Sequence, residues 1–226
     1  MGAEDTRGAF CGEVERAMSE VLDAIRAICG DGGAREASLA EGLRQIRIAL
    51  DGLGDLRPGA ARDLGVVERN LGDCRALARD PLAERLVTAL DGEPDAVAWD
   101  RSKSYDNEPS MVDFLQRYAV ATIFGPDRFG RRCPYFSDRA TLGVTLQAPN
   151  VDYPAHAHEA VEIYYILAGS ADWRQGDGGW QRKAPGDFVL HRAHEPHAMR
   201  TGEEPLLAMF AWISDLMSDV YLVEPA

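Results

Sequence analysis

The sequence predicts an α+β fold: an N-terminal α-helical bundle followed by an all-β barrel or sandwich. Three observations predict it. Apolar residues recur every three or four positions up to about residue 98, and every second position from about residue 125. In the second part Gly, Pro, Asn and Asp cluster at short intervals between strand-like runs, as between many short strands. All five histidines, His156, His158, His191, His194 and His197, fall in that second part. We divide the chain into a helical region, 1–110, and a β region, 111–226. A length of 226 residues suits one large domain or two small ones.

The elements follow in order. Val14, Met18, Val21, Leu22, Ile25 and Ile28 form one helical stripe, and Gly30 stands where a glycine would end it. Leu39, Leu43, Ile46, Leu50 and Leu53 form a second, with Ser38 as its expected N-cap. Leu64, Val67, Leu71, Cys74 and Leu77 form a third, weakened by Gly65 and Gly72. Pro81 opens a fourth through Leu82, Leu86 and Leu90. Residues 91–110 are polar and read as a connection, anchored by Trp99. Residues 111–124 read as a short helix running into a strand. Strand-like runs follow at 139–148, 160–168, 170–174, 187–191, 196–201 and 205–213.

Charge excludes some functions. Lys plus Arg number 24 and Asp plus Glu 37, so the formal net charge is −13. Nucleic-acid affinity rests mainly on Lys and Arg at phosphates, so no nucleic-acid partner is expected. An anionic membrane surface is disfavoured on the same ground. No apolar run approaches a membrane span, and no signal peptide is visible, so we expect a cytoplasmic protein. Cys11, Cys29, Cys74 and Cys133 are widely spaced without a CxxC pair, so no disulfide framework is expected. Cys29 and Cys74 fall at apolar helical positions and read as small core residues. The helical half has no lysine and an acidic excess, which disfavours a DNA-reading module. It is expected to pack on the barrel or on another subunit, the latter making a homodimer.

The chemistry is concentrated in two segments. In 153-YPAHAHEAVEIYYILAGSADW-173, His156, His158, Glu162 and Tyr164 share parity and would face one side of a regular strand; Val161, Ile163, Tyr165 and Leu167 would face the other. Two imidazoles and a carboxylate on one face make a partial divalent-metal site. In 185-PGDFVLHRAHEPHAMR-200, His197 follows the Glu195-Pro196 corner and can supply a third imidazole. His191 and His194 read as surface or turn histidines, with support of the metal residues as the alternative.

These residues carry a resemblance. His156-x-His158, Glu162 and Gly169 match the spacing of cupin motif one, and Pro185-Gly186-Asp187 with Pro196-His197 resembles motif two. Asn150 replaces the usual glycine six positions before the first histidine, and Arg192-Ala193-His194 replaces Pro-x-Gly. Both departures fall in turns. Tyr164, two after Glu162, and Tyr153, three before His156, resemble the dimethylsulfoniopropionate (DMSP) lyase branch of the cupins, most closely the DddL type. The resemblance implies a cupin β-barrel (double-stranded β-helix, or jelly roll). It also implies one divalent ion per chain (Fe2+, Mn2+, Zn2+, Ni2+ or Co2+) on His156, His158, Glu162 and His197. Its implied reaction is cleavage of DMSP to dimethyl sulfide and acrylate.

In that reading the ion binds the substrate carboxylate and Tyr164 is the general base for β-elimination. Aromatic faces would receive the sulfonium, with Tyr153, Trp173 and Tyr221 as the expected substrate wall and Trp180 and Trp212 as further candidates. Another mononuclear cupin enzyme, such as a dioxygenase or isomerase, is the alternative enzyme. A ligand-sensing regulator of helical-plus-cupin build is the alternative of a different class.

Overall fold

Each apolar stripe of the first half becomes the buried face of a helix. A computed structural model describes residues 3–31, 36–57, 62 and 64–224, and places four helices in that half: α1 (Ala3–Gly30), α2 (Ala37–Asp51), α3 (Gly65–Leu77) and α4 (Pro81–Gly92). Val14, Met18, Val21, Leu22, Ile25 and Ile28 are all buried. So are Cys29 and Cys74, as their helical positions predict; neither is in a disulfide. The Cys11 side chain lies outside the described residues. Two helix ends differ from expectation. Gly30 is the last helical residue of α1. The N-cap of α2 is Glu36, so Ser38 sits inside the first turn and its hydroxyl donates back to the Glu36 carboxylate at 2.8 Å. At α4, Pro81 opens the helix as expected and the Asp80 carboxylate accepts from the N–H groups of Leu82 and Ala83 at 3.0 and 2.9 Å, a cap that contributes about 1 kcal/mol.

The connection crosses two single 3₁₀ turns, Pro94–Ala96 and Pro109–Met111, and buries Trp99 as its anchor. The short helix α5 (Val112–Leu115) then runs into β1 (Tyr118–Gly125). Ten further strands follow: β2 (Tyr135–Phe136), β3 (Thr141–Gln147), β4 (Asp152–Ala157), β5 (Glu162–Ala168), β6 (Ala171–Gln175), β7 (Gln181–Lys183), β8 (Phe188–His191), β9 (His197–Thr201), β10 (Leu206–Trp212) and β11 (Tyr221–Leu222). They make a six-stranded sheet, β2-β1-β3-β10-β5-β8, and a five-stranded sheet, β11-β4-β9-β6-β7. All pairings are antiparallel except the short one between β1 and β2. The architecture is the α+β one expected, helices first and a two-sheet barrel after.

The period of two sorts side chains between layers. On β5, Ile163 and Tyr165 point at the helices. A Cβ added to Gly42 of α2 would lie 2.5 Å from Ile163 Cδ1, and Tyr165 OH donates to Asp80 Oδ1 at 2.5 Å. Glu162 and Tyr164, of opposite parity, line an internal cavity. The six-stranded sheet is therefore packed on both faces, which explains the fully buried β5 and β10. Buried residues from Val14 to Trp212 form one continuous core across helices and barrel.

The two motif departures have a backbone explanation. Asn150 and His194 both adopt left-handed conformations, φ 53° and 60°. These are the conformations for which glycine is the default and Asn and His are among the commoner substitutes. Gly169 keeps its glycine: φ is 69° and an added Cβ would collide with the Pro205 carbonyl.

Candidate metal centre

Strand register assembles the site. His156 of β4 lies opposite His197 of β9, and Glu162 of β5 lies opposite His191 of β8 and Trp212 of β10. His158 stands just past the end of β4. Cross-strand partners sit within about 5.5 Å, so the sheet alone brings these side chains together.

His158, Glu162 and His197 converge, with one ligand atom from each within 4.8 Å of the others and all three residues buried. His158 Nε2 lies 3.1 Å and His197 Nε2 3.4 Å from Glu162 Oε2. The other Glu162 oxygen is held by the Trp212 indole N–H, which donates to Oε1 at 2.8 Å. Each inward imidazole is anchored by its far nitrogen. Nδ1 of His156, His158 and His197 donates to the carbonyls of Pro154, Ala160 and Glu195, each at 2.9 Å. That leaves Nε2 as the ring nitrogen not held by backbone, the arrangement found at metal-binding histidines. His197 Nε2 is buried without a hydrogen-bond partner.

The electrostatics agree with this geometry. Burial opposes ionisation of Glu162, but the His158 and His197 imidazoles beside it outweigh burial and hold the carboxyl well below its usual range. Burial also disfavours charge on His158, yet its hydrogen bond to Glu162 raises the imidazole overall. Burial and the neighbouring His197 push His156 well below 6.5. A borderline-soft divalent ion suits two imidazole nitrogens and a carboxylate oxygen. His156, the fourth residue expected of the set, stands beside the converging three. Its ring stacks on Tyr153 at 3.9 Å and meets His197 edge-on at 4.1 Å.

The cluster opens on a cavity of about 540 Å³. Its aromatic lining is Tyr118, Phe129, Tyr153, Tyr164, Phe210 and Trp212. Tyr153 OH shares a hydrogen bond with Tyr105 OH of the connection at 2.9 Å. Tyr164 is buried, and burial together with the Glu162 charge pushes its phenol well above 10. Arg101, Lys103, Arg128, Arg131 and Arg132 stand around the cavity, with Arg131 engaged by Asp100.

Two of the expected wall residues are elsewhere. Trp173 does not line the cavity; it packs edge-on behind Tyr164 at 5.0 Å, its N–H spent on His191. Tyr221 sits on the two-residue edge strand β11, 45% exposed, with its hydroxyl 3.2 Å from His194 Nδ1. His194 is an exposed turn residue as expected, whereas His191 is not at the surface: it is fully buried. The clamping role of Trp212 and the wall positions of Tyr118 and Phe210 were missed. For the run 205–213 the available signal was parity, since residues 210 and 212 alternate inward together.

The dimethylsulfoniopropionate lyase family matches residues 67–208. The chain belongs to this family. It is 34% identical over 122 residues to the dimethylsulfoniopropionate lyase DddQ of Ruegeria pomeroyi, covering 54% of this chain and 58% of that protein. It is also 34% identical over 155 residues to the putative dimethylsulfoniopropionate lyase DddL of Cereibacter sphaeroides, covering 68% and 56%. The matches thus span less than two thirds of either relative. The crystal structure of DMSP lyase DddQ from R. pomeroyi superposes with a TM-score of 0.74 at 26% identity, over 93% of this chain and 98% of that one. Among the described residues no helix is long and apolar enough to cross a membrane.

Proposed function

We propose that this family member is a metal-dependent carbon–sulfur lyase that converts DMSP to dimethyl sulfide and acrylate. One observation carries the reading: in a chain of this family, His158, Glu162 and His197 converge in a buried group beside an aromatic-lined cavity. Those three residues would hold the ion, with His156 adjacent as a third imidazole. A divalent ion held there supplies Lewis-acid chemistry toward a carboxylate.

The chain's own residues do the rest. The cations around the cavity favour the carboxylate end of a zwitterion, although the chain as a whole carries −13. Tyr118, Tyr153, Phe210 and Trp212 offer faces to the sulfonium. Tyr164 is the general base. In the ion-free protein it is a phenol, and a positive charge placed beside it lowers its pKa toward phenolate. Its oxygen takes the proton from the carbon next to the carboxylate. The C–H pair becomes the new double bond, the carbon–sulfur pair leaves on sulfur, and neutral dimethyl sulfide departs.

Purified protein incubated with DMSP and each of Fe2+, Mn2+, Ni2+, Co2+ and Zn2+ tests this. Dimethyl sulfide in the headspace with at least one ion is the expected result, and none with any ion refutes the lyase. Tyr164→Phe should keep ion binding and lose about 10²–10⁴-fold in turnover, the usual contribution of a positioned acid–base group. Unimpaired turnover would move the base elsewhere.

A further inference from the structure

Four histidines are buried in the barrel, and they fall into two kinds. His156, His158 and His197 each give Nδ1–H to a backbone carbonyl, and Nε2 of His158 and His197 faces Glu162 Oε2. His191 is the reverse. Its Nε2 accepts the indole N–H of Trp173 at 3.0 Å, and its Nδ1 lies 3.3 Å from Gln175 Nε2 and 3.8 Å from Glu195 Oε2. With its Nε2 lone pair occupied, His191 is unsuited to be a ligand, although β8 places it directly opposite Glu162. It lines no part of the cavity. Its ring instead lies flat on His197, centroids 3.9 Å apart and planes 13° apart. Trp173 lies nearly parallel to His191 at 6.2 Å and edge-on to Tyr164 at 5.0 Å.

We propose that His191 is a positioning residue that fixes the plane of the His197 imidazole, and that the Trp173 N–H locks His191 in place to do so. The proposal rests on the metal-site reading above. His197 has only one hydrogen bond of its own, from Nδ1 to Glu195 O, which leaves rotation of the ring about that bond to be restrained by packing. His156 meets it edge-on, and His191 supplies the flat face. A ring held in one plane presents Nε2 in one direction, so less conformational freedom is lost when an ion binds.

The test titrates ion-free protein with Co2+, reading affinity and the visible d–d spectrum. Wild-type protein should bind; a wild type that binds no ion overturns the metal-site reading and this proposal together. His191→Ala should bind about 10-fold or more weakly, the scale of loss when a group orienting a ligand is removed, with an altered Co2+ spectrum. His191→Phe, which restores a flat ring, should recover most of the affinity. Ala binding like wild type, or Phe no better than Ala, overturns the positioning role while leaving the metal site standing. If His191→Ala does not fold by near-ultraviolet circular dichroism, Trp173→Phe is read instead. It keeps an aromatic ring, smaller than the indole, and removes the donor. A weaker affinity with a changed spectrum supports the proposal, and wild-type values for both overturn it.

Discussion

The helical half and the barrel half contribute to one core but bury different things. Among the described residues of α1 to α4 the one buried polar side chain is Asn70, and its amide is spent on the Val66 carbonyl one turn back. The barrel buries His156, His158, Glu162, His191 and His197, with Thr145, Gln147 and Thr201 besides. Burying an ionisable group costs several kcal/mol unless partners offset it. A fold that keeps five buried imidazole and carboxylate groups in one barrel and none among the described residues of α1 to α4 has separated support from chemistry. Changes in the helices should therefore alter stability and leave ion binding alone, and changes at the site should do the opposite.

The largest expected effect comes from breaking the support. Leu86 of α4 is fully buried, so Leu86→Ala should cost about 2–5 kcal/mol. Because the core is continuous, far-ultraviolet signal from the helices and near-ultraviolet signal from Trp173 and Trp212 should melt together, at a lower temperature, with Co2+ affinity unchanged in the folded protein. Separate transitions would show that the halves fold independently. On the other side of the comparison, Glu162→Gln removes the carboxylate that both imidazoles face. Ion affinity should fall by more than the ~10–100-fold that loss of an outer partner costs, with the helical signal intact. Retained affinity would remove Glu162 from the ligand set.

Asp80 sharpens the comparison because it joins the halves. Its carboxylate caps α4 and accepts the Tyr165 hydroxyl. Asp80→Ala should cost about 2 kcal/mol, from a lost cap and a lost hydrogen bond to the Tyr165 phenol, measured by denaturant midpoint. Tyr165→Phe should cost less, since it loses that hydrogen bond and keeps the cap. Equal losses would mean that the cap contributes nothing.

The same contrast explains what could be read beforehand. Helices and strands were legible because burial imposes a period: 3.6 on α1 to α4, two on β5, where Glu162 and Tyr164 part from Ile163 and Tyr165 as parity predicts. β7 was missed because Gln181–Lys183 is a polar edge strand with no apolar alternation. The convergence of His158, Glu162 and His197 was legible because His158 and Glu162 share parity four residues apart and the motif-two resemblance points to His197. Trp173 and His191 were misplaced because their surroundings come from the other sheet. The indole of β6 turns to the ring of β8, and no sequence interval encodes that meeting. The start of α2 was off by two residues because Glu36, not Ser38, caps the helix.

The smallest predicted effect is one of pH on ion affinity, and its sign follows from His158. In the ion-free protein the Glu162 carboxylate raises the His158 imidazole above 6.5, so a proton occupies the space between His158 Nε2 and Glu162 Oε2 over a wider range than for a free histidine. An ion binding there displaces that proton. Well above the His158 pKa nothing is displaced and affinity should be flat. As pH falls through that value, affinity should drop toward about tenfold per pH unit, with one proton released per ion bound. His156 lies far below 6.5 and stays neutral over this range, so it adds no slope. Calorimetric titrations with Zn2+ in buffers of different ionisation enthalpy count the released protons directly. Glu162→Gln removes the anion that raises His158, so the onset of the slope should move to lower pH. An unmoved onset would assign the displaced proton to a group other than His158 and would sever the link between the buried ion pair and the metal site.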